Sequence, residues 1–162
     1  MNREDKIKEL EETINKAQEQ IQELKAMKDS KVWKPKENRE YWYITEDGVV
    51  DTGVWEDFEC EKRMYSMGNC YKTEEEALEA LEIKKTDIEL RRYAQEHNEK
   101  FICWTDNNAK YYIKYDFSHE CLIIDVCNIT KTANQIYFSS REVAAEAIKS
   151  VGKDRVEKWA RY

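Results

Sequence analysis

One arrangement in this chain, an aromatic strand end running through a hydroxyl residue into a helix, occurs twice, and it restricts the folds available. The first copy is Gly68-Asn69-Cys70-Tyr71-Lys72-Thr73-Glu74-Glu75-Glu76-Ala77-Leu78-Glu79-Ala80-Leu81. Sliding the sequence so that Thr73 falls on Ser140 also sets Tyr71 on Phe138, Glu75 on Glu142, Ala77 on Ala144, Ala80 on Ala147 and Leu81 on Ile148. A Ser or Thr at this point accepts an otherwise unpaired amide of the first helical turn. Residues three apart then share one helix face. The pattern predicts an α+β fold in which an N-terminal heptad helix precedes two related antiparallel β-then-α modules.

The heptad helix is read from Ile7, Leu10, Ile14, Ala17, Ile21 and Leu24, whose alternating steps of three and four fill the a and d positions of a coiled coil. Every a position is Ile. In a parallel pair, Lys6 at g would face Glu11 at e of the partner helix, and a homodimer is expected. The competing reading packs the same stripe on the chain's own body. Val32-Trp33-Lys34-Pro35 ends the helix, because Pro disfavours helical geometry in the residue before it, and Trp33 is expected to dock the connection. The domain reading is residues 1–31 heptad helix, 32–40 hinge, 41–97 first module and 98–162 second module.

In the first module, Tyr41 to Ile44 and Val49 to Trp55 flank Glu46-Asp47-Gly48 as a hairpin, with a further extended segment over Lys62 to Met67. Thr73 with Glu76 forms a capping box, and the helix is expected to reach Gln95. In the second, Ile102-Cys103-Trp104 starts a strand. Lys110 to Asp116 and Glu120 to Cys127 form a hairpin, with Leu122, Ile124 and Val126 on one face and Cys121, Ile123 and Cys127 on the other. Apolar residues on both faces suggest that its second strand is central. Gln135 to Phe138 is the next strand. Ser140, or Ser139 with Glu142, caps a helix from Arg141 that stops at Gly152. A short helix from Asp154 carries Val156, Trp159 and Ala160.

Scarce Gly (4) and Pro (1) argue against phosphate-binding loops and long linkers. The net charge of −7 is concentrated in residues 35–100, which hold ten basic and eighteen acidic side chains. Such a surface repels nucleic acid phosphates and attracts basic proteins. Five cysteines without a Cys-x-x-Cys spacing fit free thiols in a reducing compartment. No apolar run approaches the ~20 residues of a membrane span, and the polar first residues lack the apolar core of a secretion signal. A cytoplasmic protein with no membrane contact is expected.

Three stretches carry a resemblance: Lys34-Pro35 followed after five intervening residues by Tyr41-Trp42-Tyr43-Ile44, Gly68 to Ala77, and Tyr137-Phe138-Ser139-Ser140-Arg141-Glu142-Val143-Ala144 through Gly152. They resemble small accessory proteins of phages, prophages and mobile elements of Gram-positive bacteria, over most of the chain. That class includes inhibitors of host defence, among them anti-CRISPR proteins. The resemblance implies a phage protein acting in a bacterial host cell, with a CRISPR-Cas effector as one candidate partner. Its motifs are caps and core positions, and it transfers no active site.

The chemistry expected is binding, with no catalytic residues, metal or cofactor. Cys121 and His119 are the best pair for nucleophilic catalysis but have no recognisable third member. Cys and His spacings do not suit zinc. Glu74-Glu75-Glu76 and Glu56-Asp57 sit in cap and loop contexts. The leading expectation is a non-enzymatic inhibitor whose acidic surface (Glu46, Asp47, Asp51, Glu56, Asp57, Glu59, Glu61) competes for a basic nucleic-acid groove on a host protein. The alternative is a dimeric nucleic-acid-associated regulatory or structural protein presenting Lys153, Arg155, Lys158 and Arg161, with Lys110, Lys114, Tyr111, Tyr112 and Tyr115 as a weaker strand surface.

Overall fold

Glu40–Ile44 (β1) and Val50–Val54 (β2) pair antiparallel, with Tyr43 opposite Asp51 and Tyr41 opposite Gly53. Gly48 takes φ 77° to close the turn, and the Thr45 hydroxyl oxygen accepts from the Val49 amide at 3.1 Å. This hairpin belongs to a computed structural model that describes residue 6, residues 13–18, residue 21, and residues 32–98, 108–128 and 131–162. Residues 13–18 are helical.

The segment read as a hinge is tied to this hairpin. The Asn38 amide donates to the Trp55 carbonyl oxygen at 2.9 Å, and the Trp55 amide to that of Arg39 at 3.0 Å. Pro35 is buried. The Lys34 ammonium lies 5.5 Å from the Trp55 ring centroid and 5.9 Å from that of Tyr65. Trp33 is 37% exposed, so the larger part of its surface is covered beside Lys34 and Pro35.

The extended segment expected over Lys62 to Met67 is instead helical, as Glu59–Ser66 (α1). The Glu61 carboxylate accepts the amides of Phe58 (2.8 Å) and Glu56 (3.0 Å) at its start. At its end the Gly68 amide bonds the Tyr65 carbonyl oxygen and the Asn69 amide that of Met64, with Gly68 at φ 71°. These two bonds form a Schellman cap. Gly68-Asn69 therefore ends a helix.

The chain then returns to β1. Trp42 and Tyr71 exchange both backbone hydrogen bonds, and the Asn69 side chain continues the pairing by accepting from the Ile44 amide and donating to its carbonyl oxygen. Two residues after Tyr71, Thr73 caps the long helix Glu74–His97 (α2) by accepting from the Glu76 amide. The Glu76 carboxylate reaches the Lys72 amide, one residue before the position a standard capping box uses.

The second hairpin pairs Lys110–Asp116 (β3) with Cys121–Cys127 (β4). Here Tyr111 exchanges two backbone bonds with Phe138, Gln135 donates to the Ile113 carbonyl oxygen, and Ser140 caps Arg141–Val151 (α3) through the Val143 amide. Ser139 has another role: its amide donates to the Asn98 side chain. Gly152, at φ 105°, separates α3 from Lys153–Arg161 (α4). Among the described residues β4 pairs only with β3, and β3 also bridges to Phe138. One expectation is corrected: the segment from Gln135 is not a full strand and, among the described residues, pairs only at Phe138. Ile102, Cys103 and Trp104 lie outside the described residues.

The helix α2 joins the two halves by changing its buried face. Ala77, Ala80 and Leu81 are buried in its first half, the half next to the first hairpin, and Leu90 and Ala94 enter the second core with Ile113, Ile136, Phe138, Ala144, Ala147, Val151 and Val156. At about 100° per residue these two sets lie about a third of a turn apart. Thr86, 1% exposed, sits at the handover and satisfies its hydroxyl on the Glu82 carbonyl oxygen.

Candidate interaction surfaces

Of the heptad positions, Ile14, Ala17 and Ile21 are described, and all three are exposed, Ile14 at 54% and Ile21 at 50%. Ile7, Leu10 and Leu24 lie outside the described residues. The body of the chain thus leaves these three exposed, although fully withdrawing an isoleucine from water is worth about 1.5–3 kcal/mol.

The acidic set divides. Glu46, Asp47, Asp51 and Glu56 are exposed around the first hairpin. The Thr45 hydroxyl, donating at 2.6 Å, holds Asp47 below the usual carboxylate range. Asp51 accepts from Tyr43 across the strands. Asp57 and Glu59 share Lys62, each at 3.2 Å, and the hydrogen bond from Lys62 depresses the Asp57 carboxyl. Glu61 leaves the surface altogether, at 7% exposure, because its carboxylate serves the backbone amides of Phe58 and Glu56. Its presence beside Tyr41 and Cys70 adds to desolvation, which pushes the phenol up to about 12 and the thiol up to about 11.

The basic cluster also divides. Arg155 is occupied by Glu89 on α2 (2.7 and 2.9 Å) with Glu82 3.6 Å from Nε. Arg161 pairs with Glu157 and stacks 4.3 Å above the Tyr115 ring, donating to its hydroxyl. Lys153 and Lys158 are exposed. On the strand surface, Lys114 is bound by Asp125, which also accepts from the Tyr112 hydroxyl at 3.1 Å. These donors, Lys114 first, pull the Asp125 carboxyl down to about 2. Lys110 is buried and donates to the Asn108 carbonyl oxygen. Internal pairing thus takes up most of the cations that a phosphate backbone would need.

Asp116 supplies an orienting partner that sequence reasoning missed, its carboxylate accepting from the His119 ring at Nδ1 over 2.8 Å. Its position opposite Cys121 in the strand register was the available signal. Among the described residues no hydrogen bond links His119 to Cys121, and both are exposed on the hairpin end. Nor do three His, Cys, Asp or Glu side chains converge as metal ligands among the described residues. No helix there is long and apolar enough to cross a membrane.

Comparison with known protein families, curated proteins and solved structures finds no match to this chain.

Proposed function

We propose that this chain is a non-enzymatic, dimeric protein-binding protein of a phage or mobile element, acting in the cytoplasm of a bacterial host as an inhibitor. The observation that carries the reading is the uncovered heptad stripe, Ile14, Ala17 and Ile21, on a helix whose a positions are all Ile. Such a face gains most from a second copy in a parallel coiled coil. Light scattering on the full chain and on a chain lacking residues 1–31 tests it. The full chain should have twice the mass of a monomer and the shortened chain should be monomeric; a monomeric full chain sinks the proposal.

The acids without ion pairs among the described residues, Glu46, Asp47, Asp51 and Glu56, support the inhibitory part. They would face a basic groove of a nucleic-acid-processing defence protein, such as a CRISPR-Cas effector, and the association should weaken with salt. Changing these four to Lys should abolish inhibition. The alternative nucleic-acid reading retains Lys153 and Lys158 from its cluster.

The two halves are best read as copies of one β-hairpin-then-helix unit. Each has a cross-strand Tyr–Asp hydrogen bond (Tyr43–Asp51, Tyr112–Asp125), a two-bond bridge on the adjacent residue (Trp42–Tyr71, Tyr111–Phe138), and a cap two residues later.

A further inference from the structure

Trp42 gives both of its backbone hydrogen bonds to Tyr71, and Tyr111 gives both of its to Phe138. In an antiparallel pair, opposite residues bond each other only at every second position. The register partners of these two, Thr52 and Val126, are therefore not bonded to β1 and β3, and they turn their amides to the outer edge of each hairpin. Among the described residues no strand lies on that edge of β2 or β4. An open edge is a template for a strand of another molecule, and Val54 and Val126, 49% and 47% exposed, add apolar surface to it. Both outward amides are already taken. Asp51 accepts from the Thr52 amide through Oδ1 at 2.8 Å, and Asp125 accepts from the Val126 amide in the same way, also at 2.8 Å. The second oxygen of each carboxylate, Oδ2, takes the hydroxyl of its register partner, Tyr43 or Tyr112. Asp is depleted in strands, so its recurrence at the matching place of both hairpins has a local reason in this bond.

We propose that Asp51 and Asp125 guard the two open sheet edges: each carboxylate occupies an outward amide that a strand of a second copy would need, and so keeps the hairpins from joining into an intermolecular sheet. The outward positions are Val50, Thr52 and Val54 in β2 and Leu122, Ile124 and Val126 in β4, so the block falls at the centre of β2 and at one end of β4. An incoming carbonyl oxygen would have to displace the carboxylate and would then lie beside its charge. The cross-strand tyrosine holds each carboxylate over the edge, which ties the guard to the hairpin register.

Amide hydrogen exchange followed by NMR on the full chain tests this. Corrected for intrinsic rates, the Thr52 and Val126 amides should exchange roughly tenfold more slowly than those of Val50, Val54, Leu122 and Ile124. Asp51→Ala and Asp125→Ala should abolish the slowing, whereas Asp51→Asn and Asp125→Asn, which keep an acceptor oxygen, should retain most of it. In light scattering, the double Ala variant should gain mass over the parent chain as it is concentrated. Tyr43→Phe with Tyr112→Phe, which leaves Oδ1 in place, should not. Parent amides at Thr52 and Val126 that exchange as fast as their neighbours overturn the proposal, even where a variant fails to fold. So does a folded double Ala variant with the parent's mass at every concentration, or equal association of the tyrosine variant. Each mass is compared with the parent's, so the outcome does not depend on dimerisation through the heptad helix.

Discussion

Arg155 grips Glu89 through two parallel hydrogen bonds, Nη1 to Oε2 at 2.7 Å and Nη2 to Oε1 at 2.9 Å, and so fastens the last helix to the long one across 66 residues of sequence. The Arg155 guanidinium holds the Glu89 carboxyl below its usual range. Both groups are more than a third exposed, so solvent screening limits the coupling to about 1 kcal/mol. A double-mutant cycle of Arg155→Met and Glu89→Gln by urea denaturation should return that value, and a coupling near zero would refute it.

Glu61 and Glu59 stand two residues apart and should behave oppositely. Glu61→Ala leaves the Phe58 and Glu56 amides without their acceptor, at a cost of about 2 kcal/mol. Glu59→Ala removes only a surface pair with Lys62 and should stay within about 0.5 kcal/mol. Equal effects would mean that Glu61 does not close the start of α1.

Asp125 gives the fold an acid-sensitive contact. Its folded carboxyl titrates at about 2, below the ordinary 3.8, so its contribution is complete above about pH 4 and is lost as pH falls towards 2. Screening at this half-exposed position keeps the contribution to about 1 kcal/mol. Denaturation midpoints at several pH values should fall less steeply below pH 4 for Asp125→Asn than for the parent chain.

Ala77 and Ala144 are both fully buried, each at the fourth position of its helix. Enlarging either to Val should cost about 1–3 kcal/mol through overpacking. Similar losses of thermal stability support equivalent packing in the two halves. A neutral result at one site alone would argue that the halves pack differently.

The caps, hairpins and helix ends were legible because they depend on neighbours in sequence. Thr73, Ser140, Gly48 and Gly152 act where their own φ or hydroxyl is needed. The helix α1 was missed because a short amphipathic run with a single Tyr and a single Met fits either period, and what decides it is the cap made by Gly68 and Asn69. The full extent of the similarity between the halves was also hidden. The bridge partners are not separated by the same number of residues in the two halves, so a fixed shift aligns the helices but not the strands.

The sequence by itself determined an α+β chain with two hairpins, two hydroxyl-capped helices and a heptad stripe, because local backbone preferences and side-chain period are properties of short segments. Only the tertiary structure decided which charges stay at the surface. Glu61, Arg155 and Lys114 look like surface charges in the sequence, and each is engaged by a partner that folding brings to it. A charge keeps its long-range field only while no opposite charge or amide dipole lies beside it, and that is set by the closing of a cap for Glu61, by strand register for Lys114 and by a contact between distant segments for Arg155.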